Sequence, residues 1–115
     1  FGEVTPDEYD ALLIPGGFSP DQLRGDERFV SFTKAFMDEK KPVFAICHGP
    51  QLLITAKALD GRNVTGYKSI KVDLEYAGAT YHDQEVFVCG EQLVTSRQPD
   101  DIPAFNRESL ALLSK

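Results

Sequence analysis

No apolar run in the sequence comes near the roughly 20 residues that a membrane-spanning helix needs; runs such as Ala11 to Ile14 and Val43 to Ile46 are typical of its longest. No basic-then-apolar leader opens the chain. No Lys/Arg cluster is larger than Lys40-Lys41, and the formal charge of -6 with a pI of about 4.8 argues against a surface that tracks phosphates. Gly16-Gly17 is too short for a dinucleotide fingerprint, and no Walker-type loop occurs. Cysteine is scarce: Cys47 and Cys89 provide no framework for a small disulfide scaffold, and neither has metal-ligand spacing with the other or with His82. The expectation is a cytoplasmic protein with reduced thiols, no membrane or nucleic-acid partner, no cofactor and no metal.

What remains is an ordinary globular balance, 42% hydrophobic and 26% charged over 115 residues, enough for one domain. Within it the stretch Pro42 to Leu53, P-V-F-A-I-C-H-G-P-Q-L-L, carries the most information. Val43 to Ile46 form a short apolar run of the kind a parallel strand covered on both faces shows. From His48 the spacing turns helical through Leu52, Leu53 and Ala56. Cys47 therefore falls on an abrupt strand-to-helix turn, which lifts a side chain above the carboxyl edge of a sheet beside the free N–H groups of a helix start. Both effects favour a thiolate. His48 sets an imidazole next to the sulfur, and Gly49 allows close approach of backbone or substrate. Read alone, Cys47 is also compatible with an ordinary buried cysteine.

The rest of the chain alternates. Asp10 to Pro15 reads as a strand ending at Gly16-Gly17. Ser19-Pro20-Asp21 starts a short helix through Gln22 to Arg24, stopped at Gly25. Asp26 caps a longer helix with Phe29, Phe32, Phe36 and Met37 at helical spacing, closed by Lys40-Lys41-Pro42. Asn63 to Gly66 suggests a short strand, and Ser69 to Ala77 a helix ending at Gly78. Ala79 to His82, Glu85 to Cys89 and Gln92 to Thr95 read as strands, with Cys89-Gly90-Glu91-Gln92 as a hairpin turn. A last helix follows Pro99-Asp100-Asp101, with Phe105, Leu110 and Leu113 as its predicted inner stripe.

This order predicts an α/β fold: a parallel sheet between helices, with an antiparallel hairpin near one edge. Sites in such sheets lie at the carboxyl ends of strands, which brings Gly16-Gly17, Cys47-His48 and Ser96-Arg97 to one rim. Arg97 there suits either an anionic group or an ion pair. Cys89 and His82 sit in strand-like runs that burial explains.

These residues resemble the PfpI family of intracellular cysteine hydrolases, in the larger DJ-one and class I glutamine amidotransferase-like superfamily. The carriers are Y-D-A-L-L-I-P-G-G at Tyr9 to Gly17, A-I-C-H-G-P-Q-L-L at Ala45 to Leu53, A-G-A at Ala77 to Ala79 and T-S-R-Q-P-D-D at Thr95 to Asp101. The chain is especially similar to bacterial general stress proteins of that family. The resemblance spans residues 1–115 and implies a flavodoxin-like sandwich whose first strand–helix unit is absent here. It further implies Cys47 as nucleophile, His48 as its acid/base partner, and the N–H groups of Gly17 and His48 as an oxyanion hole. Asp21 stands where the family protease has a longer Glu supplied in trans to orient the histidine, which implies a homo-oligomer, dimer or hexamer. Gly16, Gly49, Tyr67 and Arg97 would line the pocket.

The function so implied is a cysteine-dependent hydrolase acting on proteins or small carbonyl compounds, of protease, deglycase or glyoxalase type. A redox-sensing or chaperone-like stress protein that uses Cys47 oxidation without turnover is the alternative.

Overall fold

The structure, a computed structural model, describes residues 10–16 and 22–114. Its strands are β1 Leu12–Ile14, β2 Val43–Ile46, β3 Asn63–Val64, β4 Thr80–Tyr81, β5 Phe87–Cys89 and β6 Leu93–Ser96. Its helices are α1 Glu27–Asp38, α2 Pro50–Thr55, α3 Lys71–Tyr76 and α4 Ile102–Leu113, with 3-10 turns at Lys68–Ile70 and Pro99–Asp101. The main sheet has the order β1-β2-β6-β5. β1, β2 and β6 are parallel, with Leu12 opposite Val43 and Val43 opposite Leu93, while β5 closes the far edge antiparallel to β6. β3 and β4 form a separate parallel pair, Asn63 opposite Thr80.

Alternation along the strands sorts side chains to two faces. Val43, Ala45 and Leu93 point to a core shared with Phe36 and Met37 of α1, Leu52 and Leu53 of α2, and Leu74 of α3. Phe44 and Val94 point the other way, against Phe105 and Leu112 of α4. The result is the expected α/β sandwich with helices on both faces.

Local chemistry explains most element boundaries. The Asp26 carboxylate accepts from the Arg28 N–H at 2.9 Å and caps α1. At the other end of α1 Lys40 adopts φ 57° and the Lys41 N–H reaches the Phe36 carbonyl, a left-handed stop made without glycine. The hairpin turn has positive φ at both Gly90 (61°) and Glu91 (54°), the signature of a turn whose twist matches its strands.

Two expectations need correction. The helix after Cys47 begins at Pro50 rather than His48, because Cys47 to Gly49 are consumed by the turn. In α4 the inward residues are Ala104, Phe105, Ser109 and Leu112, whereas Leu110 and Leu113 are exposed. Leu110 and Leu113 instead border an open hollow of about 250 Å³ with Leu13, Phe44 and Phe105. No helix among the described residues is long and apolar enough to cross a membrane.

Candidate functional site

β1, β2 and β6 deliver Gly16, Cys47 and Ser96 to one rim, as parallel strands must. Cys47 sits one residue past β2 with φ 64°, a conformation that costs a non-glycine residue about 1–3 kcal/mol. Its backbone is held from both sides: its N–H donates to the Ser96 carbonyl at 3.0 Å, and its carbonyl accepts from the Tyr67 N–H at 2.9 Å. The turn has no room for side chains. A Cβ on Gly16 would fall 2.8 Å from Cys47 Cβ and 3.4 Å from Sγ, and one on Gly49 would fall 2.7 Å from the Ile14 carbonyl oxygen. Gly49 has ordinary helical angles, so it is lack of space that requires glycine there.

The half-buried thiol meets the imidazole directly: Cys47 Sγ lies 3.3 Å from His48 Nδ1. The other ring nitrogen, Nε2, lies 3.3 Å from Ser69 Oγ. The ring stacks on Tyr67, centroids 5.0 Å apart and planes 29° apart. The backbone N–H of His48 donates to no backbone carbonyl among the described residues.

The segment that carries Tyr67 and Ser69 is itself anchored. The buried Thr65 N–H donates to Thr95 Oγ1 at 2.9 Å, and the Tyr81 hydroxyl donates to the Gly66 carbonyl at 2.9 Å. Burial holds the Tyr81 phenol above its ordinary value, so it remains a neutral donor. Gly66 lies close behind the turn, where a Cβ would meet the Cys47 carbonyl oxygen at 3.4 Å.

Of the residues singled out from sequence, Gly16, Cys47, His48, Gly49 and Tyr67 converge. Gly17 and Asp21 lie outside the described residues. Arg97 is at the rim, but its Nε and Nη2 grip Asp101 at 2.8 and 3.1 Å and its Nη1 donates to Asp83 at 2.9 Å. It borders an open cleft of about 470 Å³ with Lys68, Lys71, Glu75, Tyr81, Asp83 and Gln98. The two carboxylates raise the Arg97 guanidinium, and Arg97 in turn holds Asp101 below the usual carboxylate range. His82 pairs with Asn63 Oδ1 at 2.9 Å and stacks on Phe87, away from this thiol. Cys47 and Cys89 are free thiols, and among the described residues no three His, Cys, Asp or Glu side chains gather as a metal site.

Sequence reasoning missed Ser69 and Gly66. Ser69 reads there as the start of a helix, an ordinary place for serine. Instead it lies in the 3-10 turn ahead of α3, and no side chain caps that helix.

Comparison with known proteins places the chain in a family. The DJ-1/PfpI family model matches residues 1–112. General stress protein 18 of Bacillus subtilis is 76% identical over 113 residues, covering 98% of this chain and 66% of the relative. Protein/nucleic acid deglycase 2 of Escherichia coli is 65% identical over 111 residues, covering 96% and 64%. "Putative cysteine protease YraA" of Bacillus subtilis is 61% identical over 111 residues, covering 96% and 65%. The chain thus spans 64 to 66% of the length of these relatives. Among solved structures, a two-domain protein with DJ-1/ThiJ/PfpI-like and ferritin-like domains from Anabaena variabilis matches with a TM-score of 0.90 at 42% identity, over 97% of this chain and 31% of that one. The chain belongs to the DJ-1/PfpI family.

Proposed function

We propose that the protein is a cysteine-dependent hydrolase acting on proteins or on small reactive carbonyl compounds as part of a stress response. The observation that carries this reading is the 3.3 Å approach of Cys47 Sγ to His48 Nδ1 on a strained turn at the carboxyl rim of the sheet. Relatives named as a deglycase, as a stress protein and for cysteine-protease chemistry support it.

In this reading His48 Nδ1 takes the proton of the Cys47 thiol, and the thiolate attacks the substrate carbonyl carbon. The developing oxyanion is met by the His48 N–H, with the Gly17 N–H as a second donor. Where the carbonyl carries a leaving group, the imidazolium returns its proton to that group and water releases the resulting thioester. Where it is an aldehyde, the first product is a hemithioacetal. Neither step involves Cys89. Gly16, Gly49 and Tyr67 bound the pocket, Arg97 stays paired to Asp101 and Asp83 outside it, and Asp21 of a neighbouring subunit in a dimer or hexamer would approach His48.

Turnover is favoured over a sensing role by what surrounds the ring. A base gripped at Nε2 and stacked on Tyr67 is held for repeated proton transfer, whereas a sensor needs only a stabilised sulfur. The test compares Cys47→Ser with the parent on an unstructured protein substrate and on a methylglyoxal-treated one. Loss of at least about 10²-fold in kcat/KM on one of them is expected. Undiminished turnover on both would refute the hydrolase reading.

A further inference from the structure

His48 uses both ring nitrogens, and only one partner belongs to the reacting pair. Nδ1 faces Cys47 Sγ and Nε2 faces Ser69 Oγ, each at 3.3 Å, so thiol, imidazole and hydroxyl form a chain within one polypeptide. We propose that Ser69 is the positioning residue of the site: its hydroxyl fixes the plane of the His48 ring and supplies the partner that Nε2 needs in every protonation state. The proposal rests on the Cys47–His48 reading above.

The chemistry of the hydroxyl suits that task. When Nδ1 has its lone pair ready for the thiol proton, Nε2 carries the hydrogen and needs an acceptor. When Nδ1–H faces a thiolate in the neutral ring, Nε2 has the lone pair and needs a donor. When the ring is an imidazolium, Nε2 needs an acceptor again. A serine hydroxyl is donor and acceptor together and meets all three cases by rotating its O–H, with no heavy atom moving. A carboxylate accepts only, so it favours the cation and holds the proton on the ring. Ser69 is flanked in the chain by Lys68 and, two residues on, Lys71, so its own turn brings cations and no carboxylate.

The scaffold behind Ser69 is built to hold a position. The preceding residues are tied to the nucleophile's own turn through Tyr67 N–H and the Cys47 carbonyl, to β6 through Thr65 and Thr95, and to β4 through the Tyr81 hydroxyl on Gly66. Tyr67 closes one face of the same imidazole. A displacement of the segment would therefore move the ring's partner and its stacking surface together. Ser69 itself is exposed, so changing it disturbs no packing.

The experiment uses the full-length protein, ¹⁵N-labelled, and reads His48 ring-nitrogen shifts, the pH profile of Cys47 alkylation by iodoacetamide, and kcat and KM. Ser69→Ala should redistribute the His48 tautomers, shift the Cys47 alkylation profile and lower kcat about ten- to hundredfold with KM little changed. Ser69→Thr, which keeps the hydroxyl, should restore all three toward the parent. Parental ring shifts and alkylation profile in Ser69→Ala would overturn the proposal, as would changes in the ring shifts on Asp21→Asn but not on Ser69→Ala. The ring shifts read the Ser69 contact without turnover. An inactive parent with an ordinary Cys47 thiol therefore refutes the hydrolase reading alone.

Discussion

At the amino ends of β2 and β6 the side chain of Gln92 is buried and fully engaged. Its amide nitrogen donates among the carbonyls of Phe36, Met37 and Lys41 at 3.0 to 3.3 Å, and its oxygen accepts from Arg62 Nη2 at 2.7 Å. At the carboxyl ends of the same two strands Cys47 holds a left-handed φ, its N–H bound to the Ser96 carbonyl, with a half-buried thiol facing the His48 ring. One end thus closes a helix terminus with a buried hydrogen-bond network, which favours stability. The other end accepts backbone strain and exposes reactive groups. The comparison teaches that a short parallel sheet can divide its labour by direction: the strands' starts are fastened so that their ends can be strained.

The largest test of that division is Gln92→Ala. It leaves the Arg62 guanidinium and the carbonyls at the end of α1 without their buried partner, and should cost about 2–4 kcal/mol in denaturant unfolding. Cys47 alkylation should stay at the parental rate as long as the protein is folded. A stable Gln92→Ala variant with a changed thiol would erase the distinction between the two ends.

A smaller effect is expected from Asp101→Asn, which removes the carboxylate that anchors Arg97 after β6 and should cost about 1–3 kcal/mol at neutral pH. The sign with pH follows from the depressed Asp101 carboxyl. Its contribution is present above the ordinary Asp value of about 3.9 and is lost as pH falls through the lower folded-state value. The gap in Tm between parent and variant should therefore shrink on acidification. A gap that is constant or widens toward low pH would contradict the pairing.

The smallest effect reverses sign. Cys47→Gly relieves a positive φ but adds chain entropy to the unfolded state, so a net gain of at most about 1 kcal/mol is expected alongside loss of activity. A destabilised Cys47→Gly would mean that the turn is not strained and that the sulfur's contacts dominate.

How far the sequence disclosed all this depends on which physical signal each residue leaves. Val43 to Ile46 and the turn after them were readable because a doubly covered strand is apolar throughout and a helix changes the period at once. The Asp26 cap and the Cys89-Gly90-Glu91-Gln92 hairpin were readable because single residues carry the required geometry. Gln92, by contrast, is polar and sits in a turn, the usual mark of an exposed position, and only the packing of α1 against the sheet buries it. Leu110 and Leu113 satisfy helical spacing as well as Phe105 and Leu112 do, so spacing alone does not say which of them are buried against the sheet. Ser69 was hidden for a related reason, since a serine before a helix has a sufficient local explanation and its contact with His48 spans 21 positions in the chain.

The most direct test of the central claim is the rate of iodoacetamide alkylation against pH, followed separately at Cys47 and Cys89 by peptide mass. Faster alkylation of Cys47 than of Cys89 across the pH range is the predicted result. Equal reactivity at the two sulfurs, or a faster Cys89, would contradict the claim that this end of the sheet is built to activate a nucleophile.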